Sequence, residues 1–173
     1  SCLPKDLISF IDVYKSFDVP STLLNSVKNV NERQLEQILK ILENKFTNFS
    51  GKTISILGLS FKENSDDIRE SRSIKLIHAI LKENCVINVF DHLALENTKQ
   101  VFKNKLVYCN SIPECLKNSD CVIIMNSEKD FKQISKQNIQ NMRRPLIIDS
   151  RRIIDEKIKK IPKIEYVALG VNN

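Results

Sequence analysis

Apolar positions in the first fifty residues recur at helical spacing. Residues 6–17 carry Leu7, Ile8, Phe10, Ile11, Val13, Tyr14 and Phe17, and that spacing predicts an amphipathic helix. Pro20 and Ser21 then punctuate the chain. Proline is tolerated near a helix start, and serine is a good cap. Over 22–46, Leu23, Leu24, Val27, Val30, Leu35, Ile38, Leu39, Leu42 and Phe46 return at three- and four-residue steps, with Lys28, Glu32, Arg33, Glu36 and Lys40 between them. A helix of about 25 residues spans ~37 Å. That is long for so short a chain, and such helices join two domains, pack on a partner chain, or do both.

After a break at 48–51 the period changes. Short apolar runs lie at 53–58 (TISILG), 86–90 (VINVF), 105–108, 121–125 (CVIIM), 146–149 (LIID) and 164–167. Between them fall helical patterns at 71–83, 111–118 and 130–137. Strands alternating with helices predict a parallel sheet covered on both faces. The reading is a doubly wound, mostly parallel, Rossmann-like α/β domain over 51–173, preceded by a helical segment over 1–50, with no internal repeat.

Composition narrows the class. The chain has 173 residues, 42% hydrophobic and 28% charged, which argues against disorder and fibrous repeats. No apolar run approaches the ~20 residues that span a bilayer, and no signal-peptide pattern opens the chain. It begins Ser1-Cys2 without an initiator Met, as expected of a fragment or a trimmed product. The five cysteines (Cys2, Cys85, Cys109, Cys115, Cys121) are odd in number and lack CxxC pairing. That suits reduced thiols in a cytoplasmic protein, with Cys121 in the core. His78 and His92 add no zinc-type spacing, so no metal is expected. The net charge of +6 attracts anions, although a solvated lysine surface explains most of it. The run Lys157-Ile158-Lys159-Lys160 has no interleaved aromatics, which argues against a single-strand nucleic-acid groove. Neither nucleic acid nor membrane is an expected partner.

In a doubly wound fold the ligand lies at the carboxyl ends of the strands, above all at the first strand-to-helix turn. Here that turn reads GLSFKENSDDIRES from Gly58 to Ser71. A dinucleotide fingerprint needs glycine at positions 60 and 63, where the chain has Ser60 and Glu63. With only Gly51, Gly58 and Gly170 in the whole chain, the fingerprint occurs nowhere. The turn instead offers Lys62 and Arg69 for phosphates, Asp66 and Asp67 to orient Arg69 or bind ribose hydroxyls, and Ser71 as a helix cap. A second candidate is Ser1-Cys2-Leu3-Pro4-Lys5-Asp6, where a thiol just before a helix start and near Lys5 has its pKa lowered and becomes a nucleophile. A third is Asp149-Ser150-Arg151-Arg152, at the end of the expected fifth strand, where two arginines suit a phosphate or carboxylate. For each the bland alternative stands: a frayed terminus, or a solvated turn with weak local ion pairs.

The order SCLPKD, a helix containing Val30-Asn31-Glu32, GLSFKENSDDIRES and DSRR resembles the C-terminal half of the nucleotide-sugar 6-dehydrogenases, the UDP-glucose/GDP-mannose dehydrogenase family. UDP-glucose 6-dehydrogenase is the nearest type, and the resemblance runs over essentially the whole chain. It implies two NAD-dependent oxidations of the sugar C6 alcohol to a uronic acid, in support of polysaccharide biosynthesis. By this resemblance Cys2 is the nucleophile that carries a thiohemiacetal and then a thioester. Asp6 activates water or relays a proton, and Lys5 lies beside the nicotinamide. Phe61, Lys62 and Arg151 bind the nucleotide sugar, and Arg69 reaches the NAD pyrophosphate. The helix over 22–46 becomes a homodimer core. The family's glycine-fingerprint domain, which holds most of the NAD site, is not within these residues, so the chain alone is expected to be inactive. A proline common after RES is replaced by Arg72. GDP-mannose and N-acetylated UDP-sugars are alternative substrates; Lys5 disfavours the latter, and the DxR motif leans away from the former. A non-catalytic nucleotide-binding or dimerisation module is the alternative of a different class.

Overall fold

The computed structural model describes residues 2–170, with the side chains of Cys2 and Leu3 outside that description. The chain divides into two compact units, Ser1–Lys45 and Phe46–Asn173.

The first unit is a helix pair, α1 (Cys2–Ser16) and α2 (Thr22–Lys45). The helix expected from residue 6 begins four positions earlier, because Pro4 sits in its first turn, where its missing N–H leaves no bond unmade. Cys2 is therefore the first residue of α1, not a residue ahead of it. Tyr14 and Phe10 pack edge to face, 4.9 Å between centroids. Along α2, Ile38 and Leu42 are buried, whereas Leu23 is 76% exposed and Val30 57% exposed. The N-terminal half of the stripe is apolar without being covered by this chain.

In the second unit the described residues form one six-stranded parallel sheet of order β3-β2-β1-β4-β5-β6. The strands are β1 (Thr53–Leu57), β2 (Val86–Phe90), β3 (Val107–Tyr108), β4 (Cys121–Ile124), β5 (Leu146–Asp149) and β6 (Glu165–Ala168). The connecting helices are α3 (Arg72–Ile80), α4 (Leu95–Phe102), α5 (Ile112–Leu116), α6 (Lys136–Gln140) and α7 (Glu156–Lys159). Every residue of β4 and β5 is buried, as expected of central strands covered on both faces. Successive side chains point to opposite faces. Leu57, Phe90, Val122, Ile124 and Ile147 therefore join Cys115, Leu116, Phe131 and Ile139 in one core cluster. A fully buried side chain of this size stabilises by roughly 1.5–3 kcal/mol. Two polar residues in the strands, Ser55 and Asn88, are satisfied by donating to the Cys115 carbonyl of α5. Cys121 is fully buried in the core, and burial pushes its thiol well up.

The amino edge of the sheet is fastened by Asp120, whose Oδ2 accepts from Thr53 N (2.9 Å) and Arg143 Nη1 (2.8 Å). Arg144 pairs with Glu165 there. The carboxyl edge is different in kind. The strand order reverses between β1 and β4, the position at which open α/β sheets bind their ligands. Among the described residues no helix is long and apolar enough to cross a membrane, and no cluster could hold a metal ion.

Candidate functional site

The turn after β1 starts at Gly58, held at φ 91°. A Cβ there would lie 2.5 Å from Asn126 Cγ and 2.9 Å from Asn126 N, so only glycine lets this turn meet the end of β4. The next residues are fixed from a neighbouring strand. Asp91, directly after β2 and 2% exposed, accepts from Leu59 N (2.7 Å) and Ser60 N (3.2 Å) on Oδ2. Its Oδ1 accepts from Leu93 N and Ala94 N, both at 2.9 Å. Ser60 Oγ donates to the Lys62 carbonyl (2.7 Å) and accepts from Asn126 Nδ2 (3.0 Å). Asn64 N, farther along the loop, donates to Glu128 Oε1. The far end of the loop is drawn back to its start. Ser71 Oγ donates to Leu59 O and Ser73 Oγ to Gly58 O, both at 2.6 Å. Ser71 also caps α3 by accepting from Ser73 N. Arg72 is the first residue of α3, a position where proline and other residues are equally at home, so its replacement of a proline leaves the loop intact.

This frame presents Phe61, half-buried, and Lys62, exposed, with the Lys62 ammonium 5.2 Å from the Phe61 ring centroid. Arg151 reaches the same edge from β5. The fully buried Asp149 accepts from Arg151 N (3.0 Å) and Arg152 N (2.7 Å) on Oδ1, and from Ile154 N and the Tyr166 hydroxyl on Oδ2. Burial first, and then Asp149 beside it, raise the Tyr166 hydroxyl pKa. Arg151 Nε donates to Met125 O (2.9 Å). The Lys62 backbone and the Arg151 guanidinium are thus anchored, through Ser60 and directly, on the adjacent residues Asn126 and Met125.

Arg69 lies on the same loop in a bidentate pair with Asp67, at Nε–Oδ1 2.9 Å and Nη2–Oδ2 2.7 Å. The guanidinium holds the Asp67 carboxyl down at about 2. Asp67 therefore orients Arg69, while Asp66 accepts from the Asn97 amide. Lys5 and Asp6 are exposed on α1, in the other unit; Asp6 lines a shallow groove with Leu7, Ser9, Phe10 and Val13. The Cys2 side chain lies outside the described residues. Three parts of the site escaped the sequence reading: Asp91, Asn126 and Asp149's role as an acceptor. Each is the polar residue that directly follows a mainly apolar strand run (VINVF-D, CVIIM-N, LII-D), and that signal marks the carboxyl edge.

Comparison with known proteins fits this geometry. Residues 55–156 match the UDP binding domain of the UDP-glucose/GDP-mannose dehydrogenase family. The chain is 32% identical to a UDP-glucose 6-dehydrogenase of Rickettsia prowazekii, over 98% of this chain and 40% of that protein. It is 34% identical to one of Bacillus subtilis, over 98% of this chain and 39% of that protein. The chain thus spans about 40% of the length of these curated relatives. A UDP-glucose dehydrogenase structure from Pyrobaculum islandicum superposes with a TM-score of 0.82 at 26% identity, covering 95% of this chain and 36% of that one. By its matched domain and its sheet, the chain belongs to the UDP-glucose/GDP-mannose dehydrogenase family.

Proposed function

We propose that this chain supplies the nucleotide-sugar-binding part of an NAD-dependent UDP-glucose 6-dehydrogenase. The observation that carries the reading is the anchoring of the Lys62 backbone and the Arg151 guanidinium on the adjacent residues Asn126 and Met125, at the β1/β4 reversal of a UDP-binding family domain. A diphosphate laid across that edge pairs with the Lys62 ammonium and, bidentately, with the Arg151 Nη groups. Phe61 beside Lys62 offers an aromatic face to the nucleotide sugar.

The residues of this sheet edge do not form an NAD cradle. The fingerprint glycines are absent, and the turn amides that would face a pyrophosphate are taken up by Asp91. Arg69, 83% exposed at its side chain, is proposed as a single contact to the NAD pyrophosphate, exchanging Asp67 for phosphate. NAD, when bound, supplies the hydride acceptor. In a helix that begins at Cys2, positions 2, 5 and 6 share one face. The family roles fall on that face: Cys2 adds through sulfur to the C6 aldehyde, Lys5 is the neighbouring cation, and Asp6 relays a proton to or from water. The exposed apolar residues Leu23, Val27 and Val30 of α2 support a homodimer built on that helix.

Titration calorimetry of the chain with UDP and with GDP tests the reading. UDP binds more tightly than GDP, and Lys62→Ala and Arg151→Ala each weaken UDP by roughly tenfold, the size of one charged hydrogen bond. Equal binding by the variants and the parent chain contradicts it.

A further inference from the structure

At the end of the second strand of a dinucleotide-binding sheet an acidic residue faces the ribose, and the first turn gives its amides to the pyrophosphate. Here the acid in that place, Asp91, is turned inward. It is 2% exposed, and it accepts the amides of Leu59 and Ser60 itself. The consequence runs along the chain in three steps. Asp91 fixes Ser60 N, Ser60 Oγ holds the Lys62 carbonyl, and Asn126 Nδ2 holds Ser60 Oγ from β4. Asn126 Nδ2 also approaches Asp91 Oδ2 at 3.5 Å. Asp91 Oδ1 fixes Leu93 N and Ala94 N at the entry to α4. No amide of Leu59 or Ser60 is left to bind an anion, so a pyrophosphate finds no turn amides at these two positions.

We propose that Asp91 is a positioning residue of the nucleotide-sugar site: by claiming the two turn amides it closes the turn to a dinucleotide and, through Ser60, fixes the Lys62 backbone at the strand end that the Arg151 guanidinium also contacts. The proposal deepens the function proposed above and rests on it. Asp91 touches neither ligand nor reacting atoms; it acts through Ser60.

The test is UDP affinity of the chain at a temperature far below unfolding, for the parent, Asp91→Ala, Asp91→Asn, Ser60→Ala and Leu116→Ala. Leu116 is fully buried on α5 and takes no part in the hydrogen bonds of the turn, so its truncation lowers stability without removing any of them. Asp91→Ala weakens UDP about tenfold or more. Asp91→Asn, which replaces one accepting oxygen by a donor, weakens it by several-fold, and Ser60→Ala by about threefold. Leu116→Ala leaves UDP affinity within about twofold despite its lower melting temperature. If Asp91→Ala does not fold, Asp91→Asn and Ser60→Ala carry the test. Parent-like affinity in the Asp91 and Ser60 variants overturns the proposal while the binding reading stands, as does a loss in Leu116→Ala matching that in the Asp91 variants. Absence of UDP binding by the parent chain overturns the binding reading, and the proposal with it.

Discussion

Two turns at one sheet edge are built around buried aspartates, and they reach the same end by different routes. After β5, Asp149 folds its own downstream chain, accepting from residues two, three and five positions on. After β1, the acceptor is Asp91, 32 residues beyond Leu59 and on the neighbouring strand. The first is a local Asx-type turn, complete once the six contiguous residues 149–154 are present. The second exists only after β1 and β2 have paired, and it needs Gly58 so that Asn126 can close against it. The backbone of Arg151 is thereby set by local chemistry, and that of Lys62 by tertiary structure.

The difference can be broken at several points. Asp149→Ala has one of the two largest effects. It orphans three backbone amides and the Tyr166 hydroxyl around a fully buried position, so denaturant unfolding should show a loss of about 3 kcal/mol, with UDP binding abolished. Asp91→Ala costs about as much, about 3 kcal/mol, because it orphans the amides of Leu59, Ser60, Leu93 and Ala94, while Gly58 N and Phe61 N keep their own carbonyl partners. A loss below about 1 kcal/mol in either variant contradicts the account. Gly58→Ala costs about 2 kcal/mol, because φ 91° and the buried Asn126 side chain both resist a Cβ. A crystal structure of that variant should show Asn126 displaced, and undisturbed neighbours with parent-like stability contradict the account. Tyr166→Phe removes one of the two donors on Asp149 Oδ2 and lowers stability by about 1 kcal/mol, with the Arg151 turn retained.

The smallest effect is at Arg69. The pair is exposed, so Arg69→Ala leaves the melting temperature nearly unchanged. Its signature is electrostatic. Asp67 is depressed to about 2 in the folded chain, against ~4 for a free carboxyl. The stability it lends is therefore present above pH ~4 and is lost as pH falls through about 2. Carboxyl-carbon NMR titration should show the Asp67 midpoint returning toward ~4 in Arg69→Ala; an unmoved midpoint means that the Asp67–Arg69 pair is not formed in solution.

Much of this architecture was legible in residue order, and the gaps have physical causes. The strands at 86–90 and 146–149 coincide with β2 and β5, because continuous apolar runs between turn signals mark strands buried on both faces. The strand expected at 105–108 shrinks to Val107–Tyr108, since Lys103–Lys105 forms a 3-10 turn at the sheet margin. The pattern at 130–137 resolves into a 3-10 segment, Lys129–Gln133, and α6. Helix α4 was invisible, because only Leu95, Val101 and Phe102 are apolar along it, and α7 is too short for a period to show. At the site, DSRR and the Ser71 cap announced themselves as local signals. Asp91 and Asn126 did not, because their partners arrive from other strands and nothing in a linear pattern records that pairing.

The central claim is that UDP lies across the carboxyl ends of β1 and β4, between Lys62 and Arg151. Amide and arginine side-chain NMR shifts of the chain during a UDP titration test it most directly. The account predicts saturable changes confined to residues 58–71, 125–128 and 149–152, with the Arg151 Nε resonance among the largest. Shifts centred instead on the amino edge, around Thr53, Asp120 and Arg143, or none at all, contradict it.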